Sequence, residues 1–218
     1  MNKNKQKTKI KSILFDFDGV LSNGRFYSTI PSEYSVIKEK VISTLFSKEA
    51  WEVTKEWMRG DKSFEEIHAE YSNKIGADIE FLNKSLIDSV IAMKLNEDLM
   101  KFAKLMRNKG VKVSVFTDNM DVFDRVFVPY NDLNGKFDHI FSSSIYKNLK
   151  SNGDGTFLKQ ALEETGISPE NSLFLDNTPK IGEWMVQFGG HFYLYENYET
   201  EYQKFEIWFN DNFEVENG

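Results

Sequence analysis

The sequence predicts an α/β protein, a doubly wound parallel sheet with a small α-helical cap inserted after the first strand. Three observations predict it. Ile13, Leu14, Phe15 and Phe17 form a near-continuous apolar run, as in a strand covered on both faces. Past Asn96, strand-like and helix-like stretches alternate, the order that builds parallel sheets. Between these, residues 22–93 carry helical signals only. The patterns divide the chain into a core of 1–21 and 94–218 and a cap of 22–93.

The first strand lies in SILFDFDGV (12–20) and runs into Asp16 and Asp18, after which Gly19 lets the chain turn away. Period-two spacing points both carboxylates to one side, at the edge where open α/β sheets bind ligands. Two unpaired acids there are costly. A bridging hard cation offsets that cost, and Mg²⁺ prefers such oxygen ligands. The bland alternative is a pair of turn-capping aspartates. In the cap, Ser47 is the expected N-cap of a helix with Trp51, Thr54, Trp57 and Met58, ended by Gly60. Ser63 and Glu66 make a capping-box pattern before Phe64, Ile67, Tyr71 and Ile75, with Gly76 closing that helix. Phe81, Leu82, Leu86, Val90 and Met93 mark another.

In the core, Asn96 caps a helix with Leu99, Phe102, Ala103 and Met106 on one face, ended by Gly110. VKVSVF (111–116) reads as a strand ending in Thr117, Asp118 and Asn119, followed by a helix near 121–128. HIFS (139–142) is a short strand, 157–165 a helix stopped by Gly166, and SLFLD (172–176) a strand ending at Asp176 and Asn177. Pro179 suits a first helical position, and HFYLY (191–195) is the last strand. A helix over 199–211 and an acidic tail follow.

Composition narrows the function. A net charge of −7 argues against a nucleic-acid backbone as partner. The absence of cysteine excludes a disulfide, a thiolate metal site and a Cys nucleophile, and is compatible with the cytoplasm. No stretch has the apolar length of a membrane span, so no membrane partner is expected. Lys3, Lys5, Lys7, Lys9 and Lys11 read as a solvated basic tail, because two aspartates interrupt the apolar segment behind them.

Parallel strands deliver Asp16 and Asp18, Thr117 with Asp118, and Asp176 with Asn177 to one sheet edge. A hydroxyl can hold a phosphate oxygen, and a further acidic strand end can complete a metal shell. Lys150 or Lys147, between the last two of these strands, can neutralise charge. The set suits phosphoryl transfer.

The motifs resemble the haloacid dehalogenase superfamily of phosphatases and phosphomutases, whose core is Rossmann-like. DFDGV (16–20) is similar to its first motif, VFTDN (115–119) to its second, Lys150 to its third and LFLDN (173–177) to its fourth. The insertion after the first motif matches the branch with a small α-helical cap. MRGDKSFEEI (58–67) and FDHIFSSS (137–144) resemble sugar-phosphate phosphatases, including those for α-glucose 1-phosphate. The resemblance implies that Asp16 is the nucleophile and becomes the aspartyl phosphate. Asp18 protonates the leaving alcohol and then activates water, while its carbonyl ligates Mg²⁺. Thr117 and the Asp118 amide hold the phosphoryl group, Lys150 neutralises it, and Asp176 with Asn177 completes the metal site. The chain departs from the pattern at Asp118, commonly Asn, at Asn177, commonly a second acid, and at Ser151, usually Pro.

The expectation is a Mg²⁺-dependent phosphatase of a small phosphorylated metabolite, a sugar phosphate, acting as monomer or homodimer. A phosphomutase, or a non-catalytic phosphate-binding protein with an impaired site, is the alternative. SNGDGT (151–156) reads as a tight turn, and His68, His139 and His191 as structural or surface residues. Trp51 and Trp57 are expected in the cap core rather than as a sugar platform. Arg25, Phe26 and Tyr27 either reach substrate or pack the hinge.

Overall fold

A computed structural model describes residues 7–215. The core strands and the cap alternate as β1 (Thr8–Lys9), β2 (Ser12–Phe15), then cap helices α1 (Ser35–Leu45), α2 (Trp51–Met58), α3 (Phe64–Ile75) and α4 (Ile79–Ile91). The core resumes with α5 (Glu97–Asn108), β3 (Lys112–Thr117) and a π-helical turn over Phe123–Phe127. Short helices α6 (Val128–Tyr130) and α7 (Leu133–Lys136) lead to β4 (His139–Ser142), α8 (Ser143–Tyr146) and α9 (Thr156–Thr165). Then come β5 (Ser172–Asp176), α10 (Pro179–Gln187), β6 (His191–Leu194), α11 (Tyr202–Asn212) and β7 (Phe213–Glu214).

Five strands pair in parallel in the order β4-β3-β2-β5-β6. The unbroken apolar run in β2 is explained by layers on both of its faces. Ile13 and Phe15 share one face with Val113, Val115, Leu173 and Leu175, and Phe102, Phe205 and Phe209 belong to the same cluster. Leu14, Phe116 and Phe174 face the other way, against Phe157, Leu158 and Leu162 of α9 and Met185 of α10. Each fully buried large apolar side chain contributes about 1.5–3 kcal/mol, so both layers are needed to cover the sheet. Phe15 lies opposite Val115 on one side and Leu175 on the other, and Asp16 N extends the ladder to the Leu175 carbonyl at 2.8 Å. Strand order reverses beside β2, so its C-terminal end is the topological switch point where open sheets bind ligands.

The cap's capping signals work as the sequence predicts. Ser63 accepts from Glu66 N while Glu66 accepts from Ser63 N, and Gly76 ends α3 in the left-handed region at φ 78°. Ser47 caps the 3₁₀ turn that precedes α2. For helix α1 the sequence offers only Lys38 and Lys40 as helix surface, with no bounds. Its β-branched Val36, Ile37, Val41, Ile42 and Thr44 blur a helical signal, and packing of Val41, Thr44 and Leu45 decides it. Trp57 is fully buried whereas Trp51 is 44% exposed, so only Trp57 belongs to the cap core.

Polar contacts fasten the cap to the core. Asp121 accepts from Trp57 Nε1 at 2.8 Å and from Phe64 N at 3.1 Å. Arg125 bridges Asp121 and Glu65 and lies 4.6 Å above the Phe64 ring. Ser143 Oγ donates to the Met58 carbonyl at 2.6 Å, and Lys147 Nζ donates to the Gly60 carbonyl.

Two expectations are corrected. The first strand stops at Phe15, and Asp16–Ser22 is a turn closed by Leu21 N to Asp16 O and Ser22 N to Phe17 O, with Gly19 at φ 79°. The basic segment is not wholly a solvated tail. Thr8 and Lys9 pair in parallel with Phe213 and Glu214, Ile10 is buried, and Lys7 donates to the Asn210 carbonyl. Lys3 and Lys5 lie outside the described residues. Glycines 153 and 155 and the Asp154 cap on Thr156 N make 151–156 the expected tight turn. Helix α11 starts at Tyr202 and packs Phe205 and Phe209 onto Phe102. Among the described residues, no helix is long and apolar enough to cross a membrane.

Candidate active site

Three strand ends converge as parallel pairing requires. Asp16 follows β2, Thr117 ends β3 and Asp176 ends β5. Lys150 begins a 3₁₀ turn after β4, and its Nζ reaches Asp16 Oδ1 at 2.6 Å and Asp176 Oδ2 at 2.8 Å. Lys147, the other lysine in that loop, is spent on the cap carbonyl of Gly60. Asp16 Oδ1 also accepts from Phe17 N at 2.7 Å. Among the described residues Asp16 Oδ2 accepts no hydrogen bond, and Asp16 lines a polar cleft of about 510 Å³. Thr117 Oγ1 is fully buried and has no hydrogen-bond partner among the described residues. A buried, unpaired hydroxyl is costly unless a ligand engages it.

Electrostatics follow from this crowding. Burial raises the Asp16 carboxyl well above its ordinary value, Asp176 adds to the rise, and Lys150 opposes it. Burial alone would depress the Lys150 ammonium, but Asp16, Asp176 and Asp118 hold it above the usual lysine value. Asp18 is pushed up to about 6, first by burial, against the pull of Lys150 and Arg25 and with a further push from Asp118. With both carboxyls ionised, Asp16, Asp176 and Lys150 carry one net negative charge, and a further cation beside them would favour that ionised form.

The donor set suits a hard cation. Among the described residues no three His, Asp or Glu side chains gather as a metal-ligating group. The candidates are instead two carboxylates, Asp16 and Asp176, the Asp18 carbonyl and the Asn177 amide, all oxygen donors of the kind Mg²⁺ takes alongside water. Asn177 Nδ2 donates to the Asp18 carbonyl at 3.0 Å, and its Oδ1 accepts from Thr178 Oγ1 at 3.2 Å. A cation at that carbonyl therefore requires the amide to turn its oxygen inward, which the two-fold shape of a carboxamide permits.

Asp118 is not an idle charge beside the phosphate position. Its Oδ1 accepts from Lys150 N at 2.8 Å and its Oδ2 from Ser151 N at 3.0 Å, so it holds the turn that carries Lys150. This accounts for an acid where the family commonly has Asn. Asn119 closes the second motif, and the sequence assigns it no role at the site. It is buried, its Nδ2 donates to Asp18 Oδ2 at 3.3 Å, and its own N–H is held by Ser143 Oγ at 2.9 Å. Its place as the last residue of the second motif was the one available signal. Arg25 and Tyr27 divide the two earlier alternatives between them. Arg25 lines the cleft, whereas Tyr27 is buried, with its N–H on Ser89 and its hydroxyl on His68.

A strand-end carboxylate, a largely buried lysine and an inserted cap define a class, and comparison gives it a family. The chain belongs to the haloacid dehalogenase-like hydrolases, whose family model matches residues 10–185. In fold it is similar to a predicted HAD-like family hydrolase from Porphyromonas gingivalis, at 19% identity and TM-score 0.71 over 91% of this chain and 97% of that one. It is likewise similar to a HAD family enzyme from Bacteroides thetaiotaomicron solved as a magnesium complex, at 16% identity and TM-score 0.68, covering 90% and 98%. The wild-type form of that enzyme with magnesium and inorganic phosphate aligns at 17% identity and TM-score 0.65, covering 84% and 93%. No curated protein matches.

Proposed function

We propose that this chain is a Mg²⁺-dependent phosphomonoesterase that hydrolyses a small phosphorylated metabolite through a phosphoaspartate on Asp16. One observation carries the reading. Asp16 is pinned through Oδ1 with Oδ2 left unbonded, lines the cleft together with the largely buried Lys150, and shares its sheet edge with the partnerless hydroxyl of Thr117. Asp16 Oδ2 attacks phosphorus and the ester P–O bond breaks, with Asp18 giving its proton to the leaving oxygen. Asp18 then takes a proton from water, the water oxygen bonds to phosphorus, and the P–O bond to Asp16 breaks to release phosphate. Thr117 and Lys150 hold the phosphoryl oxygens throughout. Asp16, Asp176, the Asp18 carbonyl and Asn177 would hold Mg²⁺, which supplies charge neutralisation at the transferring group. The magnesium and phosphate complex of the Bacteroides enzyme supports this choice of ion and ligand.

Hydrolysis is favoured over mutase chemistry because Arg25 is the one cation lining the cap-side cavity, leaving no basic cluster for a second phosphate. The test is phosphate release with and without Mg²⁺, using wild type and Asp16→Asn, with mass spectrometry of acid-quenched enzyme. Turnover should vanish in Asp16→Asn at an unchanged Tm, and the phosphoryl adduct should map to the peptide carrying Asp16. Retained turnover, or an adduct elsewhere, rejects the mechanism.

A further inference from the structure

Two cavities meet at Asp18. Besides the polar cleft, a slot of about 330 Å³ lies between cap and core and shares Asp18, Arg25 and Asp118 with it. The slot's walls are Phe26, Ile42, Phe46, Met58 and Met120. Phe26 and Phe46 stack with centroids 6.0 Å apart and planes 15° from parallel. Thr54 also lines the slot, but its hydroxyl is turned away to the Leu45 and Ala50 carbonyls. Asp118 is committed to two main-chain N–H groups. What the slot offers an organic group is therefore mostly carbon, with the Asp18 carboxyl and the Arg25 guanidinium where it meets the cleft. The Arg25 side chain makes no hydrogen bond or ion pair among the described residues, and it draws the Asp18 carboxyl downward.

We propose that the substrate's leaving group is an alcohol with an apolar, ring-sized body, not a polyol. The proposal rests on the phosphatase reading given above and names its substrate class. Because Asp18 belongs to both cavities, an ester oxygen beside it places the phosphoryl group in the cleft and the carbon skeleton in the slot. A sugar entering there gives up water around several hydroxyls and finds only the Arg25 guanidinium and the Asp18 carboxyl in its place, so most are left unpaired, a strongly discriminating penalty. A ring gains burial against Phe26, Phe46 and Met120 and loses nothing. The volume is at the small end of ligand pockets, enough for one or two rings. This departs from the sugar phosphates implied by the sequence resemblance.

The experiment compares 2-naphthylmethyl phosphate with hexose 6-phosphates in Mg²⁺. Both leave as primary alcohols, so a difference reports binding of the organic group rather than its acidity. The naphthylmethyl ester should have a kcat/KM at least ~10-fold higher, as expected for apolar complementarity against unpaired hydroxyls. Ile42→Glu, at a position 43% exposed and so tolerant of change, should shrink that ratio at least ~10-fold. A preference for hexose phosphates, or an unchanged ratio in Ile42→Glu, overturns the slot assignment and leaves the phosphatase reading standing. Acetyl phosphate, too short to enter the slot, separates the two. If it is not hydrolysed either, the phosphatase reading fails, and calorimetry with 2-naphthylmethyl phosphonate decides the slot alone. Binding that weakens in Ile42→Glu supports it, and no binding rejects it.

Discussion

Removing the Asp118 carboxylate tests whether this acid positions Lys150 or is merely tolerated beside the phosphate. In Asp118→Ala the Lys150 and Ser151 N–H groups lose their charged acceptor, at 2.8 and 3.0 Å in the native fold. Hydrogen bonds to charged groups contribute about 1.5–3 kcal/mol each. Asp118 is half-buried, so water replaces part of the loss and the lower figure applies, about 3 kcal/mol for the pair. If that energy holds Lys150 in place for catalysis, kcat/KM falls by up to ~100-fold. Asp118→Asn keeps one acceptor oxygen and turns an N–H toward the other amide, so about half the effect, roughly tenfold, is expected. The assay is steady-state hydrolysis of p-nitrophenyl phosphate with the inhibition constant of inorganic phosphate, alongside Tm. The graded order wild type, Asn, Ala in both kcat/KM and phosphate affinity is the signature of positioning. Wild-type kinetics in Asp118→Ala, or a lowered Tm with unchanged kinetics, refutes it.

Thr117→Val should leave Tm unchanged or slightly higher, because the buried hydroxyl has no protein partner to lose, while phosphate affinity falls by ~10-fold or more; a lowered Tm with intact phosphate binding would show that the hydroxyl serves the fold. Asn177→Asp replaces the N–H facing the Asp18 carbonyl with a carboxylate and should lower the Mg²⁺ concentration for half-maximal activity, measured by metal titration. His68 is buried between Tyr27 and Asn83, and burial holds its imidazole below the ordinary value of 6.5. As pH falls through about 6.5 the unfolded chain takes up the proton first, so its contribution to stability is present above that value and is lost as pH falls toward the lower folded-state pKa. Urea midpoints between pH 7.5 and 5 should drop more steeply for wild type than for His68→Gln, and parallel curves would contradict this.

The strand ends were legible because a parallel sheet turns local patterns into a shared edge. Ile13, Leu14 and Phe15 declared a strand covered on both faces, and Asp16, Thr117 and Asp176 had to meet at the same end of it. The capping box of Ser63 and Glu66 was legible because both partners lie within one turn. What stayed hidden depends on contacts distant in sequence. Asn119 reaches Asp18 across 101 positions, and Asp118 reaches Lys150 across 32. The choice between Lys150 and Lys147 turns on which loop residue faces the sheet and which faces Gly60, and no spacing rule encodes that. The pairing of Thr8 with Phe213 joins distant segments too short to carry a periodic signal.

The two cavities that share Asp18 bear on traffic as well as specificity. On the proposed function, cutting the ester at that ridge would leave inorganic phosphate on the polar side and the organic alcohol on the other. Each product would then lie in its own cavity, phosphate in the one lined by Asn23 and Asn197 and the alcohol in the one lined by the partly exposed Ile42. Neither departure calls for the cap to swing, which would break the Asp121, Ser143 and Lys147 contacts together. On the proposed function, this arrangement predicts that the products leave without the cap opening and that the bond-breaking steps rather than cap motion set turnover. Rising solvent viscosity should then leave kcat unchanged, and a kcat that falls in proportion to viscosity would show that the products wait for the cap.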